Sequence, residues 1–235
     1  MLRTEITSQS SRPHKALLDS VSHELKTPIA ALRASLDLQP PSSDPRAITL
    51  RNEMDPATRR LERVTTQLLD MTRADSGYLR PQHDWCDVEE LIHAVADHQI
   101  AAVSRSRIAI NVPPNFPPIL IDAGLLETIL TNLILNTLVW APAPSPVEIT
   151  IARTDAAWTI RVRDHGPGIE PKDIPQLFDK FFRSAAAPPG GTGLGLSIVA
   201  GFTRVMGGSI SVINVAEGGA LFTITFPWKD ARSKS

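Results

Sequence analysis

The sequence predicts an α+β protein, an N-terminal antiparallel helical hairpin followed by an α/β sandwich. Two observations carry this. Through the first third, apolar residues recur at spacings of three and four; after Ser76-Gly77, short β-branched runs mix irregularly with helices. Strands and helices that do not strictly alternate point away from a doubly wound sheet.

The first helix is marked by Leu18, Val21, Leu25, Pro28 and Leu32, and the second by Leu50, Met54, Ala57, Leu61, Val64, Leu68 and Met71. Alternating steps of four and three form a bundle seam. The stretch Gln39 to Pro45 holds three prolines and suits a reversal. One hairpin cannot enclose its own seam, so the expected solution is a homodimeric four-helix bundle. Pro56 should kink the second helix or delay its start.

Beyond the hairpin, Asp87-Val88-Glu89-Glu90 opens a helix after an extended stretch through Trp85. Ile108 to Val112 and Ile119 to Ile121 read as strands, and Asp122 caps a helix running to about Val139. Val147 to Arg153 and Ala157 to Asp164 form a strand pair across Thr154-Asp155. A helix from about Leu194 to Met206 stops at Gly207-Gly208, and Ser209 to Val215 pairs with Ala220 to Phe226 around Glu217-Gly218-Gly219. The expected organisation is a linker over 1–12, the hairpin over 13–78, the sandwich over 82–228 and a tail over 229–235.

The 235 residues carry a formal charge of −1 and 42% apolar side chains. Near-neutrality removes the basic surplus that nucleic-acid binding draws on, and the apolar share excludes a disordered tail. Cys86 is the single cysteine, which excludes an internal disulfide and fits a reducing compartment. The most apolar stretch, Leu125 to Ala141, is interrupted by Glu127, Asn132 and Asn136, so no membrane segment is expected in this fragment. A cytoplasmic location is the expectation.

Three groups of residues carry chemistry. On the first helix, His23 points away from the seam, with Glu24 beside it and Lys26 and Thr27 one turn along. A largely neutral imidazole is nucleophilic, and Glu24 can hold its tautomer or accept its proton. On the helix after Asp122, Asn132 and Asn136 project from one face, either bonding a neighbouring helix or serving a Mg²⁺–phosphate site.

The third group is two glycine-rich loops. Asp164-His165-Gly166-Pro167-Gly168 ends a strand, either as an ordinary turn or as a carboxylate placed to accept an exocyclic amine. Gly191-Thr192-Gly193-Leu194-Gly195 opens a helix, exposing backbone N–H groups that suit phosphate or hinging a lid.

The stretch Ser22 to Pro28 resembles the H-box of sensor histidine kinases. Asn132 to Asn136, Asp164 to Gly168, Phe178 to Arg183 and Gly191 to Gly195 resemble, in order, their N, G1, F and G2 boxes. The resemblance covers about residues 13–228. It implies a Bergerat-type ATP-binding sandwich and the two-component reaction. His23 would be the phosphoacceptor, Glu24 the polarising base and Thr27 the residue that orients water when a partner is dephosphorylated. Asn136 would coordinate Mg²⁺, Asp164 would read adenine, and Asn132, Gly166, Gly168, Lys180, Arg183, Gly191, Thr192, Gly193, Leu194 and Gly195 would complete the ATP site. A response regulator receiver domain would take the phosphoryl group. Trp85, Pro113 to Asp122 and Glu217 to Gly219 resemble most the potassium-responsive osmosensor branch.

Two departures stand out. Val139 occupies the place of a lysine expected near the phosphates, and the segment Ser184 to Gly190 carries no charge. They motivate an alternative, a degenerate kinase that docks or dephosphorylates a receiver without turning over ATP.

Overall fold

The computed structural model describes residues 27–38, 44–98, 100, 102–188 and 190–228. The chain divides between Leu79 and Arg80 into two compact units. His23 and Glu24, like Leu18, Val21 and Leu25 of the predicted seam, lie outside the described residues.

In the first unit, residues 27–37 are helical (α1) and α2 runs over Pro45–Asp75. Asp44 caps α2 by accepting from the Arg46 amide at 3.0 Å, and Pro45 takes the first-turn position where its missing N–H costs nothing. Pro56 therefore does not delay the start; it sits inside a 31-residue helix. Arg33 on α1 donates to Glu62 on α2 at 3.1 Å, which fixes the two as a hairpin.

The predicted seam lies open in the single chain, as expected of a hairpin that cannot enclose it. Among the described residues of this unit the buried apolar side chains are Ile29, Leu36 and Leu69, whereas Pro28, Leu32, Leu50, Met54, Ala57, Leu61 and Leu68 of the predicted stripe are exposed. Intrachain packing uses the neighbouring face of each helix.

The second unit contains β1 (Asp84–Cys86), α3 (Val88–His98), α4 (Ala102–Arg105), β2 (Ile108–Asn111), β3 (Ile119–Ile121), α5 (Ala123–Trp140), β4 (Val147–Arg153), β5 (Ala157–Arg163), α6 (Gly195–Val205), β6 (Ser209–Asn214) and β7 (Ala220–Pro227). Strands order as β2-β4-β5-β7-β6, with β2 parallel to β4 and every other pair antiparallel. A separate antiparallel pair joins β1 and β3. The mixture confirms α+β.

Alternation places Val147, Ile149 and Ile151, then Trp158, Ile160 and Val162, then Phe222, Ile224 and Phe226 on the buried face. Against it lies α5, which also packs on α3 and α6. Leu126, Ile129, Leu130, Leu133 and Ile134 of α5 are wholly buried, each contributing about 1.5–3 kcal/mol. By length and hydropathy α5 could cross a membrane, but these five side chains fill the core of the sandwich.

Asp122 holds α5 at its start. One carboxylate oxygen accepts from Leu125 N at 3.0 Å and the other from Gln82 N at 2.8 Å, tying the helix to the incoming chain. At the far end, Arg107 donates to the carbonyls of Ala141 and Ser145, both at 2.9 Å. The helix that carries both asparagines is thus clamped at each end.

Candidate functional site

The site gathers around the C-terminal end of β5. Asp164 follows that strand and is 3% exposed. Its Oδ1 accepts from Gly166 N at 2.9 Å and from Ala220 N at 3.2 Å, while its own amide donates to Ala220 O at 3.0 Å. Two amides therefore engage one oxygen of the carboxylate. Oδ2 accepts no hydrogen bond among the described residues, which suits it to an external donor such as an exocyclic amine.

Close backbone packing explains two of the glycines. A Cβ on Gly166 would lie 2.6 Å from Trp140 O, so this residue lets the loop meet the C-terminal end of α5, one turn beyond Asn136. A Cβ on Gly219 would lie 1.9 Å from Asp164 O. The loop is closed from the other side by Asn214, whose amide donates to Ile169 O at 2.7 Å and accepts from Ile169 N at 2.8 Å. Asn214 lies 45 residues from Ile169 in a predicted strand, and no local pattern marks it.

The two asparagines differ. Asn132 donates back to Thr128 O at 2.9 Å along its own helix. Asn136 is half-buried, and its side-chain amide makes no hydrogen bond among the described residues. Its amide oxygen suits Mg²⁺, an ion that keeps several waters and takes few protein ligands beside phosphate oxygens. Among the described residues no cluster of three His, Cys, Asp or Glu side chains exists to bind a metal unaided.

The second glycine loop is fastened to the Phe178 to Arg183 segment. Phe181 N donates to Gly193 O at 3.0 Å, and Gly191 lies against the Arg183 guanidinium. Arg183 itself donates to Pro188 O, so its guanidinium ties down the short Ser184 to Gly190 segment in this state. Thr192 Oγ1 accepts from Leu194 N at 3.1 Å just before α6 begins at Gly195, and Leu194 is buried. Lys180 is exposed, as is Val139 at 59%.

His165 Nε2 lies 3.0 Å from Glu148 Oε1, which orients the imidazole beside the buried carboxylate. On α1, Thr27 is exposed in the first described helical turn. The geometry thus brings Asp164, Gly166, Gly168 and the end of α5 together, and separately joins the two lid segments.

A carboxylate at a strand end, a glycine-lined approach and a helix bearing an uncoordinated amide define a nucleotide-binding α/β module, which follows a helical hairpin in the chain. Comparison with known proteins identifies both halves. Residues 121–230 match the histidine kinase-, DNA gyrase B-, and HSP90-like ATPase family, and residues 14–77 match the His Kinase A (phospho-acceptor) domain. The chain belongs to the sensor histidine kinases and comprises their catalytic core.

The signal transduction histidine-protein kinase AfsQ2 of Streptomyces coelicolor is 35% identical over 88% of this chain and 40% of its own length. Sensor protein KdpD of Escherichia coli is 32% identical over 97% of this chain and 26% of its own. The sensor-like histidine kinase SenX3 of Mycolicibacterium smegmatis is 32% identical over 92% and 58%. The chain thus spans between about a quarter and three fifths of these curated relatives. Full-length ShkA in complex with AMPPNP superposes with a TM-score of 0.73 at 26% identity, over 92% of this chain and 46% of that one.

Proposed function

We propose that the chain transfers the γ-phosphoryl group of ATP to His23 and passes it to an aspartate of a response regulator receiver domain. The observation that carries the reading is the buried Asp164 carboxylate, which spends one oxygen on the loop and leaves the other without a hydrogen bond among the described residues, where it would accept from adenine. Asn132 and Asn136 on α5, Gly166 and Gly168 below the base, and the Lys180 to Gly195 segments around the phosphates complete the site.

A nitrogen of His23 attacks the γ-phosphorus in line, the bond to the β–γ bridging oxygen breaks, and ADP leaves. Glu24 holds the imidazole tautomer that keeps the attacking lone pair available. Asn136 would hold Mg²⁺ together with the nucleotide phosphates, and the ion would supply neutralisation of the phosphoryl charge. Catalysis by the chain's own groups is then chiefly positioning. Thr27, four residues after His23 in the sequence and exposed, would orient water when the receiver is dephosphorylated. The exposed stripe Leu32, Leu50, Met54, Leu61 and Leu68 supports a homodimer through the hairpin. A cytoplasmic site of action follows, because ATP and receiver domains are found there.

The second reading, a docking or phosphatase module without ATP turnover, is favoured by Val139 and the uncharged Ser184 to Gly190 segment. Incubation with γ-³²P-labelled ATP and Mg²⁺ separates the two. The kinase becomes labelled with phosphate that acid removes and alkali preserves; a chain that stays unlabelled while binding a receiver is the module.

A further inference from the structure

A second concavity lies at the opposite end of the sandwich from Asp164. It encloses about 590 Å³ and is lined by Trp85, Trp158, Trp228, Met206, Arg153 and His83, together with prolines and the β3 strand. That size falls within the range of small-molecule sites. Trp158 opens β5 and Asp164 follows its last residue, so the two ends are separated by roughly 20 Å at the usual strand rise. This cavity is therefore distinct from the nucleotide site.

Its chemistry is specific. Trp85 presents a flat, polarisable indole face, 56% exposed despite its size, while Trp158, buried and stacked on Phe226, forms part of the floor. The indole N–H of Trp228 is buried and has no hydrogen-bond partner among the described residues. A buried orphan donor costs free energy unless something accepts from it. Arg153 stacks over the Trp228 ring, 3.9 Å from guanidinium carbon to ring centroid, and makes no ion pair among the described residues. The only ionisable side chains in the lining, Arg153 and His83, are both basic.

We infer that this cavity is a binding site for a flat aromatic molecule carrying one carboxylate or sulfonate. The rings stack against Trp85, and the anionic oxygens take the Arg153 guanidinium. Occupancy would cover Trp85.

The test uses the whole chain and two fluorescent probes of one shape, 8-anilinonaphthalene-1-sulfonate and its uncharged parent N-phenyl-1-naphthylamine. Titration should show a single saturable site per chain for the sulfonate, with indole quenching, and saturating ATP·Mg²⁺ should not displace it. Arg153→Gln should weaken the sulfonate about tenfold while leaving the neutral probe within about twofold. Trp85→Ala should weaken both. Each of these side chains is exposed, and unchanged circular dichroism verifies that the variants fold. The proposal is overturned by the absence of a saturable site, by displacement with ATP, or by an Arg153→Gln effect equal for the two probes. Because the site lies apart from Asp164, its failure would leave the kinase reading standing.

Discussion

The carbonyl oxygen of Asp164 occupies the space that a β-carbon on Gly219 would fill, 1.9 Å from where that carbon would sit. The backbone of the β6–β7 hairpin therefore presses directly on the strand end that presents the carboxylate. With the paired contacts of Asp164 to Ala220, it makes the nucleotide loop and the hairpin one rigid element.

Gly219→Ala should accordingly damage both folding and binding. The residue sits at φ +86°, a conformation costly for a side chain, and the clash adds to it. A loss of at least about 2 kcal/mol is expected, or about 4–8 °C in Tm for a unit of this size. Calorimetry of the variant checks it, and an unchanged melting curve would show that the hairpin is not pressed on the strand end.

Asp164→Asn separates fold from recognition. The amide oxygen can still accept from Gly166 and Ala220, so stability should change by less than about 1 kcal/mol. The free position no longer offers a carboxylate to an amine, and ATP should bind roughly tenfold or more weakly. Titration with a fluorescent adenine nucleotide measures this, with loss of preference over the guanine analogue as the diagnostic.

Most of the fold was legible because its signals are local. The cap at Asp122, the stop at Gly207-Gly208 and the alternation through Ile149 and Ile160 each depend on neighbours in the sequence. Gly207 N donates to Arg204 O at 2.9 Å and Gly208 N to Thr203 O at 2.8 Å, the paired closing bonds that a glycine stop implies. What escaped was set by distant partners. Asn214 closes the Asp164 loop from another strand, Arg107 holds the end of α5, and the aromatic cavity assembles from five separate segments. The Ile29 and Leu36 face escaped for a different reason. Arg33, which pairs with Glu62, lies between them in the sequence, and periodicity ranks only apolar stripes.

Leu61→Glu with Leu68→Glu tests the unpartnered stripe. Both leucines are exposed in the single chain, at 49% and 44%. If a second copy covers them, each contributes about 2 kcal/mol per chain, and the paired substitution should weaken self-association by a hundredfold or more. Sedimentation velocity should show monomer where the parent is dimer, with the melting of the second unit unchanged.

Cys86 offers a pH prediction. Burial, reinforced by Asp87 and Glu90, pushes its thiol above the ordinary value of 9.0. A proton is therefore bound more tightly in the folded state than in the unfolded one. The associated stability is complete below pH 9.0 and falls as pH rises through the folded value. Iodoacetamide should label the native chain far more slowly than the unfolded chain at pH 8, and Cys86→Ala should flatten the alkaline loss of stability.

The most direct measurement is radiolabelling from γ-³²P-ATP with three chains side by side: parent, His23→Gln and Asn136→Ala. The account predicts acid-labile label on the parent alone, with His23→Gln still binding nucleotide and Asn136→Ala losing its Mg²⁺-dependent part. Undiminished label on His23→Gln would contradict it, because the accepting nitrogen would then lie elsewhere.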